Sequence, residues 1–320
     1  MARRKSNSGP ASQASSPTSV ASFDLGSADR PFDNILNFRD VGSSVNKIYG
    51  SRILKEGVLF RSARPDDASE RDKKRLVDEL GIATIIDLRS NTEHIMATEK
   101  RRAAMSLDTD AEAVAVLADP DEHLLELPGV RRFMISLTGR AFEKALLWRL
   151  DWFSFIKVIA LTAAGYRQDA VSIVGRQVMQ PRGLIGLAQD TLDCSVDEMR
   201  ELFDVLARDE TYPTVIHCTQ GKDRTGLVVL LLLLLTKVVP VDVIGADYVK
   251  SEAELVPELE ERVQEVRAIG LTEEYTKCPP GWTEEVKRYL DERYGGVERY
   301  LLSVGISREK QERIRSRLLV

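Results

Sequence analysis

The sequence predicts an α/β fold: a central parallel or mixed sheet flanked by helices, carrying an inserted helical segment. Three observations point to it. Residues 83–89 (Ala-Thr-Ile-Ile-Asp-Leu-Arg) form a short β-branched apolar run bounded by Gly81 and Ser90-Asn91. Residues 212–218 (Tyr-Pro-Thr-Val-Ile-His-Cys) form a second. Runs that stay apolar at successive positions suit strands buried on both faces of a mostly parallel sheet. Helical stretches separate the strand-like pieces, which is the alternation of an α/β domain.

The remaining elements follow in chain order. Residues 1–30 read as a disordered Ser/Pro-rich tail, because the basic start MARRKSNSGPASQASSPTSVAS has no apolar stretch like that of a signal peptide. A mitochondrial transit peptide shares this composition, but no amphipathic helix is visible before Asp24. Residues 31–320 read as one domain. Within it, residues 35–42 and 57–62 read as short strands or strand–loop pieces. Residues 66–80 read as a helix, with Leu76, Val77 and Leu80 at helical spacing and Gly81 as a stop. Charged and Ala-rich stretches make 92–125 a mixture of helix and loop.

Residues 125–180 read as the inserted segment. From 130 to 164 it looks helical and is rich in Leu, Phe and Trp. It is either a helical hairpin packed on the core or a mobile lid over an active site. Residues 184–207 read as one or two helices, with Ser195-x-x-Glu198 as a capping-box signal. The run from Leu227 to Leu235 is uninterrupted apolar sequence. A membrane-spanning helix needs about 20 such residues, so this one reads as a buried core helix. Residues 241–270 are charged and helical. Amphipathic helices at 283–294 and 307–319 flank the break at Gly295-Gly296.

Composition excludes several function classes. Lys+Arg number 45 against 50 Asp+Glu, a net charge of −5, and 43% of the chain is hydrophobic. That much apolar material rules out global disorder, and the mild acidity argues against a nucleic-acid binder working through overall charge. Cys194, Cys218 and Cys278 are too few and too far apart for a disulfide scaffold or a Cys-rich zinc site. His94, His123 and His217 supply no pair at metal-ligand spacing. No metal or other cofactor is expected, and the composition fits a reduced, cytoplasmic compartment.

The chemistry resides in His217-Cys218-Thr219-Gln220-Gly221-Lys222-Asp223-Arg224-Thr225-Gly226. A cysteine at the end of a strand is followed six residues later by an arginine at the start of a helix. Backbone N–H groups of a short loop at a helix N-terminus converge on one concave site, which suits a phosphate dianion. The same positive field favours thiolate over thiol and makes Cys218 a nucleophile. Arg224 can grip two phosphate oxygens side by side, which Lys cannot. Gly221 permits a tight turn, and Thr225 can donate its hydroxyl to the sulfur. A free cysteine alone is usually a small buried hydrophobe. The preceding His, the central Gly, the trailing Thr-Gly and the apolar flanks favour the nucleophile.

This loop resembles the signature of the cysteine-based protein tyrosine phosphatase superfamily. Its form is similar to that of the atypical tyrosine-protein phosphatase family of bacteria and fungi. Residues 37–42 (Asn-Phe-Arg-Asp-Val-Gly), 59–63 (Leu-Phe-Arg-Ser-Ala), 86–90 (Ile-Asp-Leu-Arg-Ser), Asp247-Tyr248 with Ser251, and residues 294–301 resemble further motifs of that family, in its order. The resemblance spans residues 31–319 and is weakest from 92 to 190. It implies a metal-free, two-step dephosphorylation through a phosphocysteine on Cys218. Arg224 and the loop residues Thr219, Gln220, Gly221, Lys222 and Thr225 would hold the phosphate.

Two carboxylates compete for the role of acid toward the leaving oxygen. Asp87, in the Asp-Leu-Arg motif, is expected slightly ahead of Asp223, which can instead orient Arg224. The sequence has no Trp-Pro-Asp loop of the common tyrosine phosphatases. Lys222 either hints at a second phosphate on the substrate, or points to solvent or pairs with a nearby acid. Arg39 and Asp40 read as pocket floor or as a structural ion pair, and Arg61 and Arg89 as substrate contacts or partners of acids. His217 reads as a structural group facing away from phosphate. Cys194 and Cys278 read as core or surface thiols, or as partners for an oxidised Cys218.

The expected function is a protein tyrosine phosphatase, with dual specificity open. A phosphoinositide phosphatase is the alternative, and an inactive phosphate-binding module a weaker one, because Cys218, Gly221 and Arg224 are all present. The expected partner is a phosphoprotein or phosphoinositide substrate, with no nucleic acid and no transmembrane segment. Oligomeric state is left open.

Overall fold

The computed structural model describes residues 31–106 and 123–320. The expected tail, residues 1–30, lies outside them. Five strands make one sheet: β1 (Arg39–Asp40), β2 (Leu59–Ser62), β3 (Thr84–Asp87), β4 (Arg131–Met134) and β5 (Thr214–His217). Their order is β1-β2-β5-β3-β4. β1 runs antiparallel to β2, and every other pair is parallel. The α/β expectation is thus met with a mixed sheet. Every residue of β2, β3 and β5 is buried, as apolar runs without alternation require.

Two local expectations change. Arg131–Met134 was expected to be helical but is the edge strand β4, with no buried residue. An edge strand keeps one side solvated and so lacks the apolar run that marks a central one. Residues 35–42 yield only the two residues of β1, because Asp40 caps a helix: its Oδ1 accepts from Ser43 N–H at 3.2 Å, and its Oδ2 from Gly57 N–H at 2.6 Å.

The helices are α1 (Val41–Tyr49), α2 (Glu70–Lys74), α3 (Asn91–Ser106), α4 (Arg140–Leu147), α5 (Trp152–Ala163), α6 (Arg167–Val174) and α7 (Gln180–Cys194). They continue with α8 (Val196–Leu206), α9 (Asp223–Thr236), α10 (Val241–Glu254), α11 (Leu259–Ala268), α12 (Trp282–Tyr294), α13 (Val297–Ser303) and α14 (Arg308–Leu318). Helix α2 starts with a capping box between Ser69 and Asp72 and runs into a widened turn, in which Leu80 N–H reaches back to Arg75 O. The Ser195-x-x-Glu198 signal forms no box. Ser195 Oγ donates to Leu137 O at 2.6 Å instead, a tertiary acceptor that outcompetes the local one.

Helix α9 is the centre of the core. Its residues from Leu227 to Leu233 are each at most 1% exposed, packed among β5, α7, α10, α13 and α14. A helix apolar on all sides is stable only when covered this way. Among the described residues, no helix is long and apolar enough to cross a membrane. Helices α4 to α6 build smaller clusters of their own, Phe142 with Leu146 and Val178, and Val158 with Ala170 and Ile173.

Candidate active site

In the sheet register His217 stands opposite Ser62 on one side and Asp87 on the other. The C-terminal ends of β2, β5 and β3 therefore lie level, and the crevice outside such ends is where α/β sheets bind ligands. Cys218 follows β5 at that level and is 3% exposed. Residues 219–222 make the loop, and α9 begins at Asp223.

The loop is held from outside. Arg64 N–H donates to Thr219 O at 3.1 Å, and Asn37 Nδ2 to Gln220 O at 2.9 Å. Arg61 Nη2 donates to Gly221 O at 2.8 Å and to Lys222 O at 3.2 Å. A trans peptide aims its N–H opposite to its carbonyl, so carbonyls tied to the scaffold turn the amides of residues 220–223 away from it. Gly221 is required here. Its φ is +63°, and a Cβ would sit 2.0 Å from Ser62 O.

Arg61 is 1% exposed and pairs with Asp247 at 2.8 Å. Asp247 also accepts from Arg39 at 2.9 Å and from Ser44 Oγ at 2.7 Å. Burial, then the nearby Arg39, bring Arg61 down to about 10, so it stays charged at neutral pH. Burial would push Asp247 up, but Arg39 and Arg61 hold it well below the usual carboxylate range. Arg39 thus sits in a structural ion pair, with Asp247 rather than with its neighbour Asp40. Ser251 Oγ accepts from Arg39 Nη2 at 3.0 Å, so Asp247 and Ser251, one helical turn apart on α10, share Arg39 as donor.

Arg224 meets Glu93, a residue the sequence reading did not single out. Arg224 Nη1 donates to Oε2 at 2.6 Å and Nη2 to Oε1 at 2.5 Å. The Thr219 hydroxyl donates to the same carboxylate. Ser90 N–H and Oγ reach Glu93 Oε2 at 2.9 Å each, and Glu93 N–H returns to Ser90 Oγ at 3.3 Å. Glu93 is therefore the third residue of a capping box at the start of α3. Burial opposes its charge, but Arg224, first among its partners, holds it down to about 2. Burial likewise opposes the Arg224 charge, and Glu93 more than offsets it, keeping the guanidinium protonated. The one sequence signal for Glu93 was Ser90-x-x-Glu93 itself.

The two acid candidates have different surroundings. Asp87 is fully enclosed, at 0% exposure. Arg89 grips it through Nε and Nη2, at 3.0 and 2.7 Å, and through its backbone N–H at 3.0 Å. His217 Nε2 lies 3.5 Å from its carboxylate and Arg132 Nη1 3.8 Å. Burial would raise its pKa, but His217 and the hydrogen-bonded Arg89 hold it far below the usual carboxylate range. Such a carboxylate carries no proton at neutral pH. Arg89 also pairs with Asp66 at 2.5 Å, which makes it a partner of acids. Asp223, by contrast, is 32% exposed at the first position of α9, where Tyr248 OH donates to its Oδ1 at 3.0 Å.

Lys222 and Gln220, expected to contact substrate, have partners within the protein. Lys222 is fully buried, and Nζ donates to Lys277 O at 2.5 Å and Tyr275 O at 3.3 Å, with Asp223 Oδ1 3.3 Å away. Its ammonium binds the 275–277 segment rather than solvent. Gln220 Oε1 accepts from Arg262 at 3.1 Å. Thr225 Oγ1 is buried and has no hydrogen-bond partner among the described residues, so the expected bond to sulfur is not made here. His217 is fully buried, its Nδ1 3.2 Å from Cys218 O. All three cysteines are free thiols. Cys278 is buried, with Sγ 3.7 Å from Tyr248 O, and burial first of all pushes it up to about 11.

The sequence matches the tyrosine phosphatase family over residues 30–320. It is 28% identical to the triple specificity protein phosphatase PtpB of Mycobacterium tuberculosis, over 91% of this chain and 99% of that protein. It is also 28% identical to a tyrosine-protein phosphatase of Nostoc commune, over 39% of this chain and 45% of that one. Since the family match runs through the entire described fold, the chain belongs to the tyrosine phosphatase family.

Proposed function

We propose that this phosphatase works through a phosphocysteine on Cys218, without a metal, on phosphotyrosine in proteins. The observation that carries the reading is the loop from Cys218 to Arg224. Its carbonyls are tied outward by Asn37, Arg61 and Arg64, which supports a set of inward amides for phosphate oxygens.

In the first step the Cys218 thiolate attacks phosphorus, and the bond from phosphorus to the tyrosyl oxygen breaks. Asp223 gives that oxygen its proton. In the second step water attacks the thiophosphate, the S–P bond breaks, and the Asp223 carboxylate takes the proton from water. Arg224 and the loop amides hold the equatorial oxygens, whose charge must be stabilised in both transition states. Glu93 acts through Arg224 as a positioning residue. Asp87 takes no proton-transfer role; it anchors Arg89 under the sheet end.

The relative named for triple specificity supports a substrate range wider than phosphotyrosine alone. The hint of a second substrate phosphate was Lys222, and its burial against Lys277 O and Tyr275 O favours the protein substrate over the phosphoinositide. The free thiols support a reducing compartment, the cytoplasm, and the phosphatase domain is assigned to residues 31–320. The test is hydrolysis of a phosphotyrosine peptide, a phosphoserine peptide and a short-chain phosphatidylinositol phosphate, side by side in excess EDTA. Highest kcat/KM on the phosphotyrosine peptide is expected. A strict metal requirement, or a preference for the lipid, refutes the respective part.

A further inference from the structure

Helix α5 presents an apolar face to solvent. At 100° per residue, Trp152, Phe153, Ile156 and Ile159 fall with Ala160 and Ala163 inside an arc of about 120°. Trp152 is 70% exposed, Phe153 84%, Ile156 48% and Ile159 50%. The opposite side is already used: Val158 is buried with Ala170 and Ile173 of α6. Single exposed hydrophobes are ordinary on a protein surface, but a continuous helical face of them marks an interaction site.

The charge of the segment that carries this face bears on what covers it. From Arg140 to Arg176 there are six Lys/Arg against three Asp/Glu, in a chain whose net charge is −5. Arg149 pairs with Asp190. The other five, Lys157 and Arg167 among them, are exposed and make no ion pair among the described residues. A second copy of the chain, docked face to face, would bring these cations against themselves. An anionic bilayer supplies both complements at once: lipid phosphates for the cations and acyl chains for the aromatic face. Trp152 and Phe153 on one side of α5, with Lys157 at the edge of that face and Arg167 at the start of α6, suit a membrane interface, where aromatic side chains insert and cations meet headgroups.

We infer that α5 docks this phosphatase on anionic lipid surfaces, with Trp152 and Phe153 inserted and Lys157 and Arg167 against the headgroups. Helix α5 packs mainly on α6 and contributes no residue of the loop from Cys218 to Arg224, so vesicle binding and catalysis are read independently.

The chain contains three tryptophans, of which Trp282 is 1% exposed and Trp148 and Trp152 are open to solvent. The full chain is titrated with vesicles of phosphatidylcholine alone and with 30 mol% phosphatidylserine, reading tryptophan emission and co-sedimentation. A blue shift and pelleting that require the anionic lipid are expected. Trp152→Ser with Phe153→Ser abolishes the blue shift, and Lys157→Glu with Arg167→Glu weakens binding roughly fivefold or more per charge. Both variants keep wild-type turnover of a soluble phosphotyrosine peptide, which shows that they are folded. Absence of vesicle binding by the wild type, or equal binding by the variants, overturns the inference. So does a dimer in analytical ultracentrifugation that the Trp152→Ser/Phe153→Ser variant dissolves.

Discussion

Arg224 and Glu93 meet fork to fork, with both guanidinium Nη atoms on both carboxylate oxygens at 2.6 and 2.5 Å. The residues are 131 positions apart in sequence. The contact joins the start of α3 to the start of α9, and Thr219 of the loop bonds the same carboxylate. The guanidinium plane is therefore fixed before any phosphate arrives, which removes a rotamer cost from the transition state.

Glu93→Gln keeps the shape of the side chain but removes its charge and one acceptor. The expected result is a fall in kcat of about 10²-fold, as for a misplaced catalytic group, with KM little changed. Arg224→Lys loses the paired donors themselves, and about 10²–10³-fold in kcat is expected. Steady-state kinetics on a phosphotyrosine peptide decide both. An unchanged kcat in Glu93→Gln would mean that the ion pair does not position Arg224.

The acid assignment separates by leaving group. Asp223→Asn is expected to lose about 10²–10⁴-fold on phosphotyrosine and much less on an aryl phosphate whose leaving group needs no proton. Asp87→Asn instead breaks a buried ion pair and is expected to cost about 3–5 kcal/mol of stability. Its residual activity shows no dependence on leaving group. The reverse pattern would return the acid role to Asp87.

Why the sequence hid the enclosure of Asp87 and the contact of Glu93 has a physical explanation. The two central strands and the Leu-rich helix were legible because burial on all sides writes continuous apolar runs, as in Thr84–Asp87, Thr214–His217 and Asp223–Thr236. The loop from Cys218 to Arg224 was legible because its parts are contiguous. The surroundings of Asp87 were not, because they come from register. Parallel pairing sets Asp87 beside His217, and the following residues return Arg89 onto its carboxylate. Position at a strand end was visible; enclosure was not. Likewise, Lys222 carried a charge that sequence assigns to substrate, solvent or a nearby acid; Asp223 does lie 3.3 Å from it, but only the packing of residues 275–277 gives its ammonium buried carbonyls. Strand β4 stayed hidden because an edge needs no apolar run.

Lys222→Met tests that placement. Removing the donor leaves the carbonyls of Tyr275 and Lys277 unpaired, at a cost of about 1–3 kcal/mol each. A lower thermal midpoint is expected, with the ratio of kcat/KM between singly and doubly phosphorylated substrates unchanged. Selective loss on the doubly phosphorylated substrate would show that the ammonium reaches substrate.

Stability is expected to fall with pH in two windows. His217 is fully buried, and burial above all brings its pKa down from 6.5 to about 4. Between those values the unfolded chain binds a proton that the folded chain refuses. Stability therefore drops as pH falls through this range, by up to roughly 3 kcal/mol. Glu93 is held at about 2 against an ordinary 4.5. Its contribution is complete above 4.5 and is lost as pH falls further toward 2. Urea unfolding from pH 8 to pH 4 reads the first window, and a flat profile down to pH 4 would contradict the buried, neutral His217.

The most direct measurement is to acid-quench the enzyme during turnover of a ³²P-labelled phosphotyrosine peptide, in EDTA, and to locate the label. Wild type should carry phosphate on Cys218. Cys218→Ser should carry none and turn over nothing while still binding the peptide. Label on another residue, or turnover by Cys218→Ser, would contradict the phosphocysteine mechanism.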